Sequence, residues 1–277
     1  MRSSTAPLRR ALLSEPAGGD FAAAGWLGMP DLGGLQRQHA AFAELLSGLG
    51  VEVTVLPAND GLVDACFAYD PVLVTERGVV ELRMAKRARV VEPARLVRAL
   101  GALGVPLAGR LNDGAVADAG DMFWLDERTL AVARGHRTNA AAHEQLAAIL
   151  AEEGAVVERF DLPHHRGADN LLHLLSVISP IAEDLALVFE PLCPVPLLEA
   201  LDERGIRRLE CDPDELEQQG CNVLAVRPGV VVMADTAPSS RQILERAGCE
   251  VHAYEASEIN LGEGGPTCLT QPLLRAH

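Results

Sequence analysis

Cys66-Phe67-Ala68-Tyr69-Asp70-Pro71-Val72-Leu73-Val74-Thr75 and Val79-Val80-Glu81-Leu82-Arg83 read as two strands joined by a tight turn at Arg77-Gly78. The segments C-terminal to this hairpin decide the fold. A helix is predicted over 92–103 and a further strand after Gly104, so the unit is hairpin, helix, strand. The order recurs with hairpin strands at 121–125 and 129–133, a helix at 139–153 and a strand at 156–160. It recurs again with hairpin strands at 173–178 and 185–189, a helix at 197–203 and a strand at 206–210. A fourth unit has hairpin strands at 222–226 and 230–233, a helix at 239–247 and a strand at 250–254. The period of about 50 residues is that of arrays and propellers. The repetition is one of pattern rather than of residue identity.

Ahead of these units lie an apolar run at 11–13, a Gly/Ala-rich loop at 18–28 anchored by Phe21 and Trp26, a helix at 35–49 and a strand at 51–56. These pieces and the C-terminus together can complete a fifth unit. A doubly wound sheet would alternate helices with single strands, whereas hairpins intervene throughout. The expected fold is therefore α/β, a five-bladed α/β propeller, that is, a pseudo-five-fold ring of ββαβ units around a central channel. It forms one domain over residues 1–277, with no linker long enough to divide it.

With 48% hydrophobic and only 4% aromatic residues, the core is aliphatic. A net charge of −15 argues against a nucleic-acid or anionic-membrane surface and suits a cationic ligand. No run approaches the roughly 18 apolar residues of a membrane span, and the start of the chain lacks a signal peptide's apolar region, so a cytoplasmic location is expected. The six cysteines show neither a CxxC pair nor zinc-like spacing. They read as free thiols, and neither a metal nor a cofactor is expected.

In such a ring the chemistry falls to polar residues that break or open apolar strands. Asp70 interrupts the run 67–74, Asp118 and Asp121 open the second hairpin, Arg137 closes it, His173 opens the third, and Cys268 opens the last strand behind Gly264-Gly265. A nucleophilic cysteine needs a histidine to move protons and a carboxylate to orient it, parts that Cys268, His173 and Asp118 can supply. The glycine pair permits close backbone approach and unusual dihedrals. Plainer readings compete: an Asp-Pro turn at Asp70, a solvated basic loop from Arg83 to Arg89, and a helix start at Arg137 with Thr138 or Asn139 as the cap. His164-His165 with Asp161 and Asp169 lacks the usual ligand spacing and reads as an exposed loop, and His39 and His143 read as surface residues of helices.

Taken together, Asp64-Ala65-Cys66-Phe67-Ala68-Tyr69-Asp70, the 83–89 segment, Asp118-Ala119-Gly120-Asp121, Arg137-Thr138-Asn139-Ala140, Leu172-His173-Leu174 and Gly264-Gly265-Pro266-Thr267-Cys268 resemble the guanidine-modifying superfamily. This group comprises amidinotransferases, arginine deiminases and dimethylarginine dimethylaminohydrolases, and its fold is a five-bladed α/β propeller. The resemblance spans nearly the whole chain. Dimethylarginine dimethylaminohydrolases fit best, on length and on the Arg137–Ala140 segment, since deiminases usually carry an extra helical domain and amidinotransferases are longer.

The resemblance implies that Cys268 attacks a guanidinium carbon, that His173 is the acid and base, and that Asp118 orients it. Asp70 would hold the guanidinium nitrogens, with Asp64 and Phe67 in the substrate-binding set. Arg89 and Arg137 would take the substrate α-carboxylate, and the 18–28 loop falls where the family has a mobile lid. Two residues depart from the pattern: Asp118 is one methylene shorter than the family's usual Glu, and Tyr69 stands where dimethylarginine hydrolases often have an acid. The implied activity is hydrolysis of an arginine-like guanidino compound, dimethylarginine or monomethylarginine, to citrulline and an amine through a thiouronium intermediate. Alternatives are an arginine deiminase-like hydrolase, an amidinotransferase and a non-catalytic, partner-binding propeller. The expected partner is a small cationic guanidino substrate, with a homodimer left open.

Overall fold

The computed structural model describes residues 2–165, 167 and 172–276. β1 (Leu8–Ser14) leads through α1 (Leu32–Gly48) to β2 (Glu52–Leu56), which runs parallel to β1. Four units of hairpin, helix and parallel strand come next. The first is β3 (Val72–Val74), β4 (Val79–Glu81), α2 (Glu92–Ala102) and β5 (Leu107–Arg110). The second is β6 (Met122–Trp124), β7 (Thr129–Arg134), α3 (Ala140–Ala151) and β8 (Val156–Asp161). The third is β9 (Ile178–Ala182), β10 (Leu185–Val188), α4 (Val195–Glu203) and β11 (Arg207–Glu210). The fourth is β12 (Leu224–Arg227), β13 (Val230–Ala234), α5 (Pro238–Arg246) and β14 (Glu250–Tyr254). After the short helix α6 (Pro266–Leu269), β15 (Gln271–Arg275) pairs antiparallel with β1, so the two ends of the chain build the fifth three-stranded sheet.

Burial explains the strand composition. The middle strands are covered on both faces and read as continuous apolar runs, as in β13, whose Val230 to Ala234 are all buried. The third strand of each sheet is an edge and is half exposed, as in β11, where Arg207 and Glu210 face solvent. The hydrophobic clusters run from one sheet to the next. Leu12 of β1 packs with Val72, Val79 and Leu96, and Val80 packs with Leu130, Val132 and Leu146. Ala131 and Phe160 pack with Ile178 and Leu197, Leu187 packs with Val223 and Val231, and Val232 packs with Leu13 and Phe42. The last of these clusters returns to the sheet that began the series.

One residue-level repeat underlies the pattern. Gly50, Gly104, Gly154, Gly205 and Gly248 each follow a helix and precede its parallel strand, all with φ between 68° and 92°. That left-handed conformation ends a helix and is nearly free only for glycine. Some expected strands are shorter than the sequence suggests. In 66–75 only β3 is strand, preceded by a 3-10 turn at Val63–Cys66, and 173–178 begins with a 3-10 turn at Leu174–Ser176 before β9. His39 and His143, expected at the surface, are buried at 2% and 8% exposure.

Candidate active site

Each unit places one polar side chain just ahead of its first hairpin strand. Asp70 precedes β3, Asp118 precedes β6, His173 precedes β9, Asn222 precedes β12 and Cys268 precedes β15. Hydrogen bonds tie these starts together: Tyr69 N donates to Cys268 O at 3.0 Å, Ala119 N to Asp70 O at 2.9 Å and Leu174 N to Asp121 Oδ1 at 3.1 Å. A cavity of about 420 Å³ opens here, lined by Asp64, Phe67, Asp70, Arg89, Arg137, His173 and Cys268 among others. Of the expected site residues only Asp118 stays off its surface, fully buried behind His173.

His173 is held between two carboxylates. Its Nε2 lies 3.3 Å from Asp118 Oδ2 and its Nδ1 lies 3.9 Å from Asp70 Oδ1. Burial alone would lower the imidazole pKa, but Asp70, Asp118 and Asp121 outweigh it and raise it above the ordinary value. Asp118 therefore reaches the ring despite its short side chain. It also accepts from Ala85 N at 3.1 Å and sits 3.5 Å from Arg137 Nη1. Asp121 is an anchor rather than a ligand: it accepts from Thr138 Oγ1 at 2.7 Å and from Leu174 N, fixing the neighbours of both Arg137 and His173. Gly120 keeps the carboxylates close to the ring. A β-carbon on it would stand 2.7 Å from His173 Cγ and 2.8 Å from Asp70 Oδ1.

Cys268 lies half-buried in α6. Burial, joined by the charge of Asp70, pushes its thiol up to about 11, against hydrogen bonds with Gly265 and Asn222 and the charge of Arg89. Asn222 Nδ2 donates to Sγ at 3.1 Å, and Asn222 Oδ1 accepts from Thr267 N at 3.2 Å. Sequence reasoning missed Asn222, although it opens the fourth hairpin as Asp70, Asp118 and His173 open theirs. The glycine pair works by close approach and not by unusual dihedrals. A β-carbon at 264 would meet the Phe67 ring at 2.6 Å and one at 265 would meet Asn222 Cγ at 2.6 Å, and neither glycine has a positive φ.

Two expected ligands are engaged by the protein itself. Arg89, 5% exposed, donates to Asp70 Oδ2 at 2.5 Å, to Phe67 O at 2.8 Å and to Glu92 Oε2 at 3.0 Å. Its guanidinium is thus paired inside the wall, and it joins His173 in outweighing burial so that Asp70 stays below the usual carboxylate range. Arg89 therefore lines the cavity with its guanidinium paired to Asp70 and Glu92, while Arg137, with 12% side-chain exposure, lies 3.5 Å from Asp118. Asp64 has Trp26 Nε1 at 2.8 Å on Oδ1 and Lys86 Nζ at 2.5 Å on Oδ2. Tyr69 turns away and donates its hydroxyl to Met122 O.

The chain is similar to known proteins over most of its length. A family model described as arginine deiminase matches residues 195–275. An arginine deiminase of Listeria monocytogenes is 27% identical over 258 residues, covering 78% of this chain and 62% of that protein. The chain thus spans under two thirds of that relative's length. An N(G),N(G)-dimethylarginine dimethylaminohydrolase of Streptomyces coelicolor is 28% identical over 234 residues, covering 84% of each. The chain is thus similar in sequence to guanidine-modifying enzymes. Its fold is theirs as well. A dimethylarginine dimethylaminohydrolase from Pseudomonas aeruginosa complexed with citrulline superimposes with a TM-score of 0.80 at 22% identity, over 98% of this chain and all of that one. The N-terminal domain of ArgZ, an arginine dihydrolase from cyanobacteria, gives 0.83 at 19% identity over 96% of this chain and 98% of that one.

Among the described residues no group of three His, Cys, Asp or Glu is arranged to hold a metal. His164 instead meets His136 at 3.1 Å, and Asp169 lies outside the described residues. Among the described residues no helix is long and apolar enough to cross a membrane.

Proposed function

We propose that this chain is a cysteine-dependent hydrolase of arginine-like guanidino compounds, releasing an amine or ammonia and leaving a ureido product. The observation that carries this reading is that Cys268, His173 and Asp70 wall one cavity, with Asp118 on the far side of the histidine. We also propose that the five sheets close a single-domain ring, an α/β propeller. Support comes from core clusters that run from sheet to sheet and return to the first.

A guanidinium is a poor electrophile, and its nitrogen leaves only when protonated. Asp70 would hold the cation and present its carbon to Cys268. In the empty site the thiol keeps its proton, because burial and Asp70 disfavour the thiolate. The arriving cation offsets Asp70, so the proton is released as substrate binds. Sulfur then bonds to the guanidinium carbon, imidazolium His173 gives its proton to the departing nitrogen, and the C–N bond breaks. Water, deprotonated by the now neutral His173, attacks the thiouronium carbon. The C–S bond breaks and the thiolate returns.

Methylated arginines are the first substrates to test, because the dimethylarginine hydrolase relative matches over most of both chains. Arginine itself is the second reading, favoured by the deiminase match over 195–275. Incubation with arginine, monomethylarginine and dimethylarginine, with citrulline and the released amine measured separately, tells the two apart. Product that appears only with an added acceptor amine would mean amidino transfer. Binding and activity indifferent to Cys268→Ala would mean a non-catalytic ring.

A further inference from the structure

A second cavity is lined by strand residues of all five sheets, among them Val72, Met122, Pro180, Leu224 and Gln271. Its volume of about 50 Å³ exceeds what one water needs. Among the described residues its lining holds one charged side chain, Arg275 of β15, and no carboxylate. Arg275 is 6% exposed, and its Nη1 donates to Ala6 O at 2.6 Å and to Ala225 O at 2.9 Å. Its Nε and Nη2 have no hydrogen-bond partner among the described residues, and no carboxylate there pairs with it. Burial pushes its pKa down to about 10, opposed by Tyr69, so the guanidinium stays charged at neutral pH. A buried charge with no opposite charge beside it, and with donors left unpaired, is costly. Other polar groups of this lining are also unfinished. Ser3 Oγ accepts from Thr5 N and Ala6 N, and Ser4 Oγ accepts from Trp124 N, but neither hydroxyl donates to a described residue. Gln271 Nε2 donates to Pro272 O, while its Oε1 is buried without a partner.

We propose that this second cavity binds a small planar oxyanion, the size of formate or bicarbonate, held in the fork of Arg275 Nε and Nη2, with the Ser3 and Ser4 hydroxyls as further donors. The free edge of a guanidinium presents two parallel N–H groups, which match the two oxygens of a carboxylate-like anion and not a spherical ion. Bicarbonate also carries an O–H, the donor that Gln271 Oε1 lacks. The bound anion would offset the charge of Arg275 and tie the first residues of the chain to β15. This site does not depend on the activity proposed above. The plainer reading is that Arg275 is only a clasp, pinning Ala6 O and Ala225 O, and it predicts a stability that no anion alters.

The test is thermal unfolding of the full-length protein as sodium formate, sodium bicarbonate or sodium chloride replaces sodium gluconate at constant ionic strength. An anion that binds only the folded chain raises Tm with its concentration. Once the site is mostly filled, each further tenfold in formate or bicarbonate should add about 2–4 °C, and chloride less than about half of that. Arg275→Lys keeps the charge and loses the fork, so its formate response should fall below about half of the parent's. Arg275→Met should lose the response altogether. Should Arg275→Met fail to fold, Arg275→Lys carries the comparison. Crystals of the parent grown in formate should show planar density across Nε and Nη2 of Arg275. The proposal is overturned if Tm is indifferent to formate and bicarbonate, if chloride acts as strongly as they do, or if Arg275→Lys responds as the parent does. Water alone at that edge in the formate crystals would overturn it as well.

Discussion

The side-chain amide of Asn222 donates to the sulfur of Cys268 across 3.1 Å, from the start of one sheet to the start of the next. This hydrogen bond opposes the burial that holds the thiol near 11. Asn222→Ala should therefore raise the thiol pKa further. At fixed pH we expect iodoacetamide to label Cys268 about tenfold more slowly, with kcat/KM down about 10- to 100-fold, the range for a hydrogen bond to a charged group. Unchanged labelling would show that Asn222 does not tune the thiol.

Asp118 should be read through the histidine it holds. His173 is raised above 6.5 in the folded protein, so its contribution to stability is complete below about 6.5 and is lost as pH rises through the folded value. Asp118→Asn removes a charge and keeps the shape. The His173 pKa should fall, the alkaline limb of kcat should move to lower pH, and the decline in stability as pH rises above about 6.5 should flatten. An NMR titration of the histidine and a pH–rate profile check this together.

How much of this was legible in the chain depends on the kind of residue. Hairpins and helices were marked by Gly78, by the C-terminal glycines and by Val-rich runs, and so the order of units could be read. Each C-terminal glycine is legible on its own, but their recurrence once per unit is masked because the residues around them differ. Charged and sulfur-bearing site residues stand out against apolar strands, but Asn222 does not, since an uncharged amide two residues after Gly220 looks like a turn former. Pairing was the least legible part. Arg89 meets Glu92 three residues on, but its pairing with Asp70, and that of Asp64 with Trp26 and Lys86, follows from packing between separate segments. His143 read as exposed because α3 is rich in alanine and shows no clear apolar face.

His39 predicts acid sensitivity. Burial lowers it to about 4, so the folded protein holds it neutral while the unfolded chain takes up a proton below 6.5. Stability is therefore lost as pH falls from about 6.5 to about 4, by about 3 kcal/mol for this group. His39→Leu should flatten that limb in urea unfolding measured across pH.

Glycines at two sites should respond in opposite directions. Gly264→Ala drives a β-carbon into the Phe67 ring and should destabilise by about 1–3 kcal/mol and abolish turnover. Gly101→Ala, in α2 with open space around it, should stabilise by about 0.5–1 kcal/mol and leave turnover unchanged. Urea midpoints and rates on the same preparations separate the two.

The central claim is that Cys268 carries the guanidino carbon during turnover. Acid-quenching the protein during reaction with arginine, monomethylarginine or dimethylarginine, followed by peptide mass spectrometry, tests it directly. The predicted result is a substrate-derived adduct on the peptide containing Cys268, absent in Cys268→Ala. Turnover that persists in Cys268→Ala, or an adduct confined to another residue, would contradict it.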